Sequence, residues 1–356
     1  MNIEKHYDDI FFNYKILTYP ETIIKLIKNE PTSPINLEIN LTNICNQRCI
    51  WCTYDYLHSN SCSLGDNEVE NLLRDANKLK IKSITWTGGG EPTIHKSFNR
   101  FALQAASYGI KQGLNTNCLL LENDIIDIIC NNFTYIRISL DAASPGTYEQ
   151  CHGIKGEKWN KVINNIKDLV EQKQKLKSNV TVGISFLISE KNYHEIEKVA
   201  YLAKNIGVDY IQYKPVVDYG FDKCNFYPEK IWDKSTKSLR NIKALEDKNF
   251  SVRILDYKFN NIKDYKKRYN VCWACKVLAS VGADGYVDLC CAYKGKKRFS
   301  LGNIKENSFY SIWQSNKIDE ILSKINIHKC PPLCKGDEIN RITNFIKNFN
   351  AHKEFV

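Results

Sequence analysis

Short runs typical of β-strands alternate with longer stretches typical of helices between residues 35 and 250. The strand-like runs are 35–42, 83–87, 110–116, 135–140, 180–188 and 210–215, and the helical stretches between them are 67–80, 98–108, 124–130, 159–175 and 194–206. Repeated alternation of this kind favours parallel strands joined by right-handed crossovers. We therefore expect an α/β fold, a partial (β/α)6 TIM-like barrel, with an open doubly wound sheet as the alternative.

The predicted strands carry polar residues at every second position. These residues are Glu38 and Asn40; Thr85 and Thr87; Asn115 and Asn117; Arg137, Ser139 and Asp141; Ser185; and Gln212 and Lys214. Successive side chains of a strand point to opposite faces, so each set lies on one side of the sheet. Hydrogen bonds buried in a core are one explanation. Because most of these positions are near the C-terminal ends of the strands, we favour a polar cavity at the catalytic mouth of a barrel.

The chain contains fourteen cysteines, most of them in two groups. Its start lacks a signal-peptide pattern, and it has no apolar run of about eighteen residues that would span a membrane. We therefore expect a cytoplasmic protein without a membrane partner. In a reducing compartment, grouped cysteines bind metals or iron–sulfur clusters more often than they form disulfides.

The formal net charge of +10 invites a nucleic-acid interpretation. The lysines are scattered, however, and the basic patches are short, which favours a solvated basic surface. We expect no nucleic-acid partner. Substrates that carry phosphate or carboxylate groups remain compatible with this charge.

The first cysteine group has the spacing Cys-x3-Cys-x2-Cys, at Cys45, Cys49 and Cys52. A structural zinc site normally has four ligands, whereas three thiolates on one loop leave one iron of a cluster open. Cys62 is the alternative fourth ligand.

The segment LTNICNQRCIWCTYD resembles the signature of the radical S-adenosylmethionine (SAM) superfamily, Cys-x3-Cys-x-aromatic-Cys, with Trp51 as the aromatic residue. The resemblance implies a [4Fe–4S] cluster whose open iron chelates SAM. Reductive cleavage of SAM then yields a 5′-deoxyadenosyl radical that abstracts hydrogen from an unactivated C–H bond. It also implies that Trp51 packs near the adenine.

Three further segments resemble the same family, over about residues 35–215. TWTGGGEPTIH is similar to its Gly-Gly-Glu-Pro motif, at Gly89, Gly90, Glu91 and Pro92, which implies that Glu91 holds the SAM ammonium. LNTNC, with Asn115, and RISLDAASPGTYEQCHG resemble its third and fourth strands. The latter implies that Ser139 meets the ribose or carboxylate of SAM and that Asp141 lies in the cavity.

The second cysteine group resembles the C-terminal extension of the SPASM/twitch subfamily. Its specific parts are Cys275-x9-Gly285-x4-Cys290 and a following Gly-Asn-Ile stretch. The resemblance implies one auxiliary iron–sulfur cluster, expected to be [4Fe–4S], with the ligands Cys275, Cys290, Cys330 and Cys334. Cys272 and Cys291 are rival ligands, and zinc on the same four thiolates is the alternative metal.

These observations predict four regions. They are an N-terminal extension (1–34), a radical SAM partial barrel (35–250), an auxiliary cluster domain (251–336) and a C-terminal helix (337–356). We expect a radical SAM oxidoreductase that uses a reductant such as flavodoxin or ferredoxin. The candidates for a base that removes a proton from the substrate are Lys214, Asp141, Arg137 and Tyr213.

The favoured substrate is a small polar metabolite, sugar-like or cyclitol-like, that is dehydrogenated or similarly modified. Two features favour it: the cysteine count, which matches the shorter twitch form, and the short segment ahead of the barrel. The alternative is oxidation, epimerisation or cross-linking of a ribosomally made peptide. A third interpretation, a non-catalytic iron–sulfur electron carrier or sensor, leaves the glycine motif without a role.

Overall fold

The computed structural model describes residues 14–219, 224–226, 229–260, 265–352 and 354; the first thirteen residues of the expected N-terminal extension lie outside this part. The strands are β1 (Asn36–Asn40), β2 (Ser83–Thr87), β3 (Lys111–Thr116), β4 (Tyr135–Ser139), β5 (Thr181–Ile188), β6 (Tyr210–Pro215), β7 (Val217–Tyr219), β8 (Cys224–Phe226), β9 (Ser251–Ile254), β10 (Leu278–Val281), β11 (Tyr286–Asp288) and β12 (Ser300–Asn303). The helices are α1 (Pro20–Lys28), α2 (Asp66–Lys78), α3 (Phe98–Ser107), α4 (Asn123–Asn132), α5 (Pro145–His152), α6 (Lys158–Lys175), α7 (Ile196–Ile206), α8 (Glu229–Lys243), α9 (Tyr257–Asn260), α10 (Phe309–Trp313), α11 (Lys317–Leu322) and α12 (Asp337–Asn348).

The main sheet has ten strands in the order β12-β11-β10-β1-β2-β3-β4-β5-β6-β9. Strands β1 to β6 are parallel in chain order, with α2, α3, α4, α6 and α7 among the connections. Because each parallel pair needs a crossover, the helices cover the outer face and leave the inner face to another role.

The outer face of the sheet carries the large apolar side chains. They alternate with the polar positions and are fully buried in the main core: Leu37, Ile39, Ile84, Trp86, Leu114, Ile136, Ile138, Val182, Ile184, Phe186 and Ile211. Burial of this apolar surface under the helices is the main force that stabilises the barrel. The polar residues are thereby directed to the inner face.

The second cysteine group lies on a segment that continues the same sheet. Strand β10 pairs in parallel with β1, from Asn36 opposite Leu278 to Ile39 opposite Val281. Strands β11 and β12 then add antiparallel pairs. The cysteine-rich segment is therefore joined to the barrel by backbone hydrogen bonds.

The predicted partial barrel is confirmed, and all six predicted strands are present within two residues of the expected ends. The structure adds a parallel strand that the sequence pattern missed, β9, which pairs with β6 after α8. This strand is only four residues long, SVRI, and its alternation of polar and apolar residues is too short to distinguish from a loop.

Candidate active site

The first cysteine group lies on the loop that follows β1. The Sγ of Cys49 is 3.3 Å from His152 Nδ1 and 3.6 Å from Gln47 Oε1, and the Sγ of Cys45 is 3.9 Å from Asn117 Nδ2. Cys62 instead accepts a hydrogen bond from Asn43.

Burial raises the pKa of all three loop thiols, that of Cys45 to about 11, and nearby anionic groups add to the effect at each of them. Thiolates are therefore costly at this position unless a cation compensates them. A cationic iron–sulfur core does so, and soft thiolates are its normal ligands. The three cysteines fit the expected cluster.

The end of α5 holds the cysteine loop in place. The amides of Arg48 and Ile50 donate to the carbonyls of His152 and Cys151, at 2.9 and 3.1 Å. Gly153 ends the helix with a φ of +60°, and a Cβ at this position would overlap the Arg48 carbonyl oxygen. Only glycine combines this conformation with so close a backbone approach.

The glycine motif packs against the same loop. A Cβ at Gly88 would overlap the Asn40 side chain, and one at Gly90 would overlap the Ile44 carbonyl oxygen. The amides of Gly90 and Glu91 donate to the carbonyls of Thr42 and Ile44, both at 3.0 Å. The glycines therefore allow β2 and the cysteine loop to meet backbone to backbone.

Glu91 is buried, and its carboxylate accepts four hydrogen bonds from the protein. The donors are the amide and hydroxyl of Thr93 (3.2 and 2.8 Å), the hydroxyl of Thr116 (2.7 Å) and the amide of Asn117 (2.8 Å). Glu91 thus holds the turn after β3 beside Cys45. The expected contact between Glu91 and the SAM ammonium stays a prediction.

Asp141 links the fourth strand to the cysteine loop. Its carboxylate accepts from Trp51 Nε1 at 3.2 Å and from the Leu187 amide at 2.7 Å. Burial raises its pKa to about 7, against the effect of these two donors. Both oxygens are thus engaged, and the carboxylate orients the Trp51 ring.

Six of the twelve polar strand residues predicted to face inward line one cavity of about 540 Å³. Strand residues in its wall are Glu38, Thr85, Asn115, Tyr135, Arg137, Gln212 and Lys214. The wall also includes two cysteines of the second group, Cys291 and Cys334, together with the neighbouring Lys335. The predicted inner cavity is therefore present, and the second group forms part of its wall. Ser139, by contrast, is exposed at the end of β4.

The prediction of Tyr213 as a candidate base is wrong. It is fully buried, and its hydroxyl donates to the Ile196 carbonyl at 2.8 Å, on the helix-covered side of the sheet. The alternation along β6 explains the difference, because Gln212 and Lys214 face the cavity and the residue between them must face outward.

Six cysteines line a second, smaller cavity within the C-terminal segment: Cys272, Cys275, Cys290, Cys291, Cys330 and Cys334. The Sγ atoms of Cys272 and Cys275 are 3.3 Å apart. Asn340 donates to Cys272 at 3.4 Å, and the Tyr293 hydroxyl is 3.1 Å from Cys330 Sγ. This thiol-rich cavity fits an auxiliary iron–sulfur cluster.

Both rival ligands, Cys272 and Cys291, line this smaller cavity. Cys272 lies against Cys275, whereas Cys291 also borders the larger cavity, as Cys334 does. The Cys-x2-Cys spacing of Cys272 and Cys275 is the feature of the sequence that indicates Cys272 as a ligand. In the described part of the chain, no three His, Cys, Asp or Glu side chains converge tightly enough for a single metal ion. Cluster ligands need not converge in this way, because each thiolate binds a different iron.

Two family models match the regions described above. Residues 39–203 match the model described as "Radical SAM superfamily", and residues 272–336 match SPASM, described as "Iron-sulfur cluster-binding domain". The first match covers the cysteine loop, the glycine motif and strands β2 to β5. The second covers the six clustered cysteines.

Among curated proteins, the chain is similar to the antilisterial bacteriocin subtilosin biosynthesis protein AlbA of Bacillus subtilis (strain 168). The two are 24% identical over 305 residues, which are 84% of this chain and 64% of AlbA. The chain therefore spans less than two thirds of the length of this relative.

Among solved structures, the fold is similar to Streptococcus suis SuiB bound to the precursor peptide SuiA. The TM-score is 0.66 at 17% identity, over 96% of this chain and 80% of SuiB. It is also similar to anSMEcpe with bound AdoMet and Kp18Cys peptide, with a TM-score of 0.61 at 19% identity, over 82% of this chain and 83% of anSMEcpe. At these identities the likeness shows a shared fold. None of the helices that the structure describes has the length and apolar character needed to span a bilayer.

Proposed function

Because this chain is a member of the radical SAM superfamily that also carries a SPASM domain, we propose that it modifies a peptide at an unactivated C–H bond. The expected cofactors, a [4Fe–4S] cluster, SAM and auxiliary iron–sulfur chemistry, follow from the two domains. The small polar metabolite favoured from sequence has less support than its alternative, the peptide.

Support for a peptide comes from the relatives. AlbA is named as a biosynthesis protein of a bacteriocin, SuiB was solved with a precursor peptide, and anSMEcpe was solved with a bound peptide. The similarity to AlbA and SuiB extends over more than four fifths of this chain.

The observation in the structure that carries the proposal is the cavity between the barrel and the second cysteine group. Its volume of about 540 Å³ is typical of sites for small ligands, and its wall mixes aromatic, amide and charged groups. One or two side chains of a peptide fit such a space. Both cysteine groups lie close to it, since Tyr54 and Cys334 are in its wall.

The residues of the chain hold and orient the reacting groups. We assign the first cluster to Cys45, Cys49 and Cys52, and the auxiliary cluster to four of the thiols that line the smaller cavity. When bound, the clusters and SAM supply a hydrogen-abstracting deoxyadenosyl radical and a nearby one-electron centre. Because both Asp141 oxygens accept hydrogen bonds, we assign it a positioning role toward Trp51. Net oxidation of the substrate and supply of electrons by flavodoxin or ferredoxin are parts of the same proposal.

The test is deuterium tracing with the anaerobically reconstituted protein, SAM and a chemical reductant. One reaction contains a pool of deuterated synthetic peptides, and a parallel one contains deuterated sugars and cyclitols. Mass spectrometry then measures deuterium in 5′-deoxyadenosine and the mass change of each substrate. We expect transfer from peptides, with loss of two hydrogens for oxidation or cross-linking.

Two variants control the experiment. Cys49→Ala is expected to abolish cleavage of SAM because it removes one of three cluster ligands, whereas Cys130→Ala removes a buried thiol of α4 outside both cysteine groups. Transfer from sugars alone would overturn the peptide proposal. Absence of 5′-deoxyadenosine in every wild-type reaction would contradict the enzyme assignment itself.

A further inference from the structure

The cavity wall carries more positive than negative charge. Its cations are Arg137, Lys214, Lys258 and Lys335, and its carboxylates are Glu38 and Glu338. Each carboxylate already has a cationic partner: Lys335 lies 2.5 Å from Glu38, and Arg341 lies 2.8 Å from Glu338.

The other three cations have no such partner. Within the described part of the chain, the side chains of Arg137, Lys214 and Lys258 form no hydrogen bond or ion pair, although they come from three different elements, β4, β6 and α9. Asp141, which attracts Lys214, already accepts hydrogen bonds from Trp51 and the Leu187 amide. Glu38, which attracts Arg137 without an ion pair, is already paired with Lys335.

The lowered pKa of Lys214 indicates that its positive charge is unfavourable in this cavity. Burial lowers its pKa to about 7, and repulsion from Arg137 and Lys258 adds to the shift, whereas only Asp141 opposes it. Burial also lowers the pKa of Lys258; Cys334 opposes this shift, and repulsion from Arg137 adds to it. Cations gathered in a partly desolvated space are stabilised by an anion bound between them.

We propose that Arg137, Lys214 and Lys258 bind a carboxylate of the substrate peptide, so that the modified residue lies beside an acidic group. The inference rests on the proposed function, because carboxylates are the anionic groups that an unmodified peptide offers. A guanidinium and two ammonium groups, brought to one cavity from three elements, suit the two oxygens of a carboxylate. The carboxylate belongs either to an Asp or Glu side chain or to the C-terminus of the peptide.

The test uses three matched pools of synthetic peptides. The first pool contains glutamate and an amidated C-terminus, the second contains glutamine and a free C-terminus, and the third contains glutamine and an amidated C-terminus. The reconstituted protein with SAM is incubated with an equal mixture of the three pools, and mass spectrometry quantifies the peptides that remain bound to it. We expect the first or the second pool to be retained about tenfold or more above the third, because a charge-assisted hydrogen bond is lost in the third.

The variants Arg137→Gln and Lys214→Met are each expected to reduce the preference for carboxylate-containing peptides by about tenfold. Changing the cation and the carboxylate separately and together forms a double-mutant cycle, which isolates the interaction between them. Arg137→Lys, which keeps the charge, should restore part of the preference. Lys237→Gln, an exposed lysine of α8, is the matched control and should retain the full preference. Iron content and thermal unfolding of each variant show whether it folds and carries its clusters.

Each outcome separates the two proposals. Retention of all three pools to the same extent would overturn the carboxylate site and leave the peptide proposal in place. Retention of no pool would overturn both. If the variants weaken SAM binding measured without peptide and leave the pool preference intact, the cations hold the SAM carboxylate, and the inference fails.

Discussion

Glu91 is a buried carboxylate whose hydrogen bonds all come from its own chain. It joins the turn after β2 to the turn after β3 through Thr93, Thr116 and Asn117. The family resemblance pointed to a ligand contact for this residue, whereas the structure shows what holds it in place. Binding of SAM and stabilisation of the two turns are roles of Glu91 that can be separated by experiment.

We expect Glu91→Ala to lower the free energy of unfolding of the cluster-free protein by about 2–4 kcal/mol, because it leaves buried donors unsatisfied. Urea denaturation measures the loss. Thr93→Val, which removes one donor and leaves the carboxylate, should cost less. An Ala variant as stable as wild type but unable to bind SAM would assign Glu91 to the ligand alone.

Lys214 makes the stability of the fold depend on pH. Its pKa in the folded protein is about 7, below the ordinary value of 10.5, so the unfolded chain binds more protons between these two values. Stability attributable to this residue therefore rises with pH across that window, by about 1 kcal/mol per pH unit.

Comparison with Lys214→Met isolates this contribution. At pH 7 the Met variant should be more stable than the wild type, and the difference should shrink as the pH approaches 10. Urea denaturation at pH 7, 8, 9 and 10 measures it, and the thiol titrations cancel between the two proteins. A difference that is independent of pH would contradict the lowered pKa.

At the scale of elements, the end of α5 controls the geometry of the cysteine loop. Two amides of that loop donate to carbonyls of the last helical residues, and Gly153 lets the chain turn away at close range. The sequence resemblance covered this glycine without assigning it a role. Its function depends on contact with residues about a hundred positions earlier.

Gly153→Ala is expected to displace the loop, because its Cβ would overlap the Arg48 carbonyl and its φ of +60° disfavours alanine. We predict a lower iron content after reconstitution, with cleavage of SAM reduced in proportion. Gly146→Ala is the matched control in the same helix, since a Cβ there meets open space. Equal iron content in the two variants would contradict this account.

For the whole molecule, the sheet makes the barrel and the SPASM segment mechanically continuous. β1 pairs with β2 on one side and with β10 on the other. The cysteine loop begins just after β1, and the auxiliary thiols flank β10. We therefore expect a change at one cluster to affect, through this strand pair, the element that carries the other.

Removal of the auxiliary cluster tests this continuity. In Cys275→Ala, we expect faster hydrogen exchange in β10 and β11 and also in β1, because β1 loses a stable neighbour. Mass spectrometry of peptic fragments measures the exchange, with β4, three strands away, as the internal reference. Faster exchange confined to β10–β12 would show that the two parts are independent.

The local pattern of residues was enough to predict the six strands, the helices between them and the polar inner face. Alternation along a strand and spacing along a loop are local properties, so the direction of each side chain and the Cys45–Cys49–Cys52 group follow directly from the order of residues. The two cysteine motifs likewise identify both cluster regions from the sequence alone.

Contacts between distant segments were decided only by the tertiary structure. They include the pairing of β10 with β1, the close approach of Gly153 to the Arg48 carbonyl and the gathering of Arg137, Lys214 and Lys258 around one cavity. Each depends on which surfaces pack together to bury apolar area, and that choice is made by the whole chain at once. The charge of a cavity is a property of its assembled wall, so no single segment of the sequence contains it.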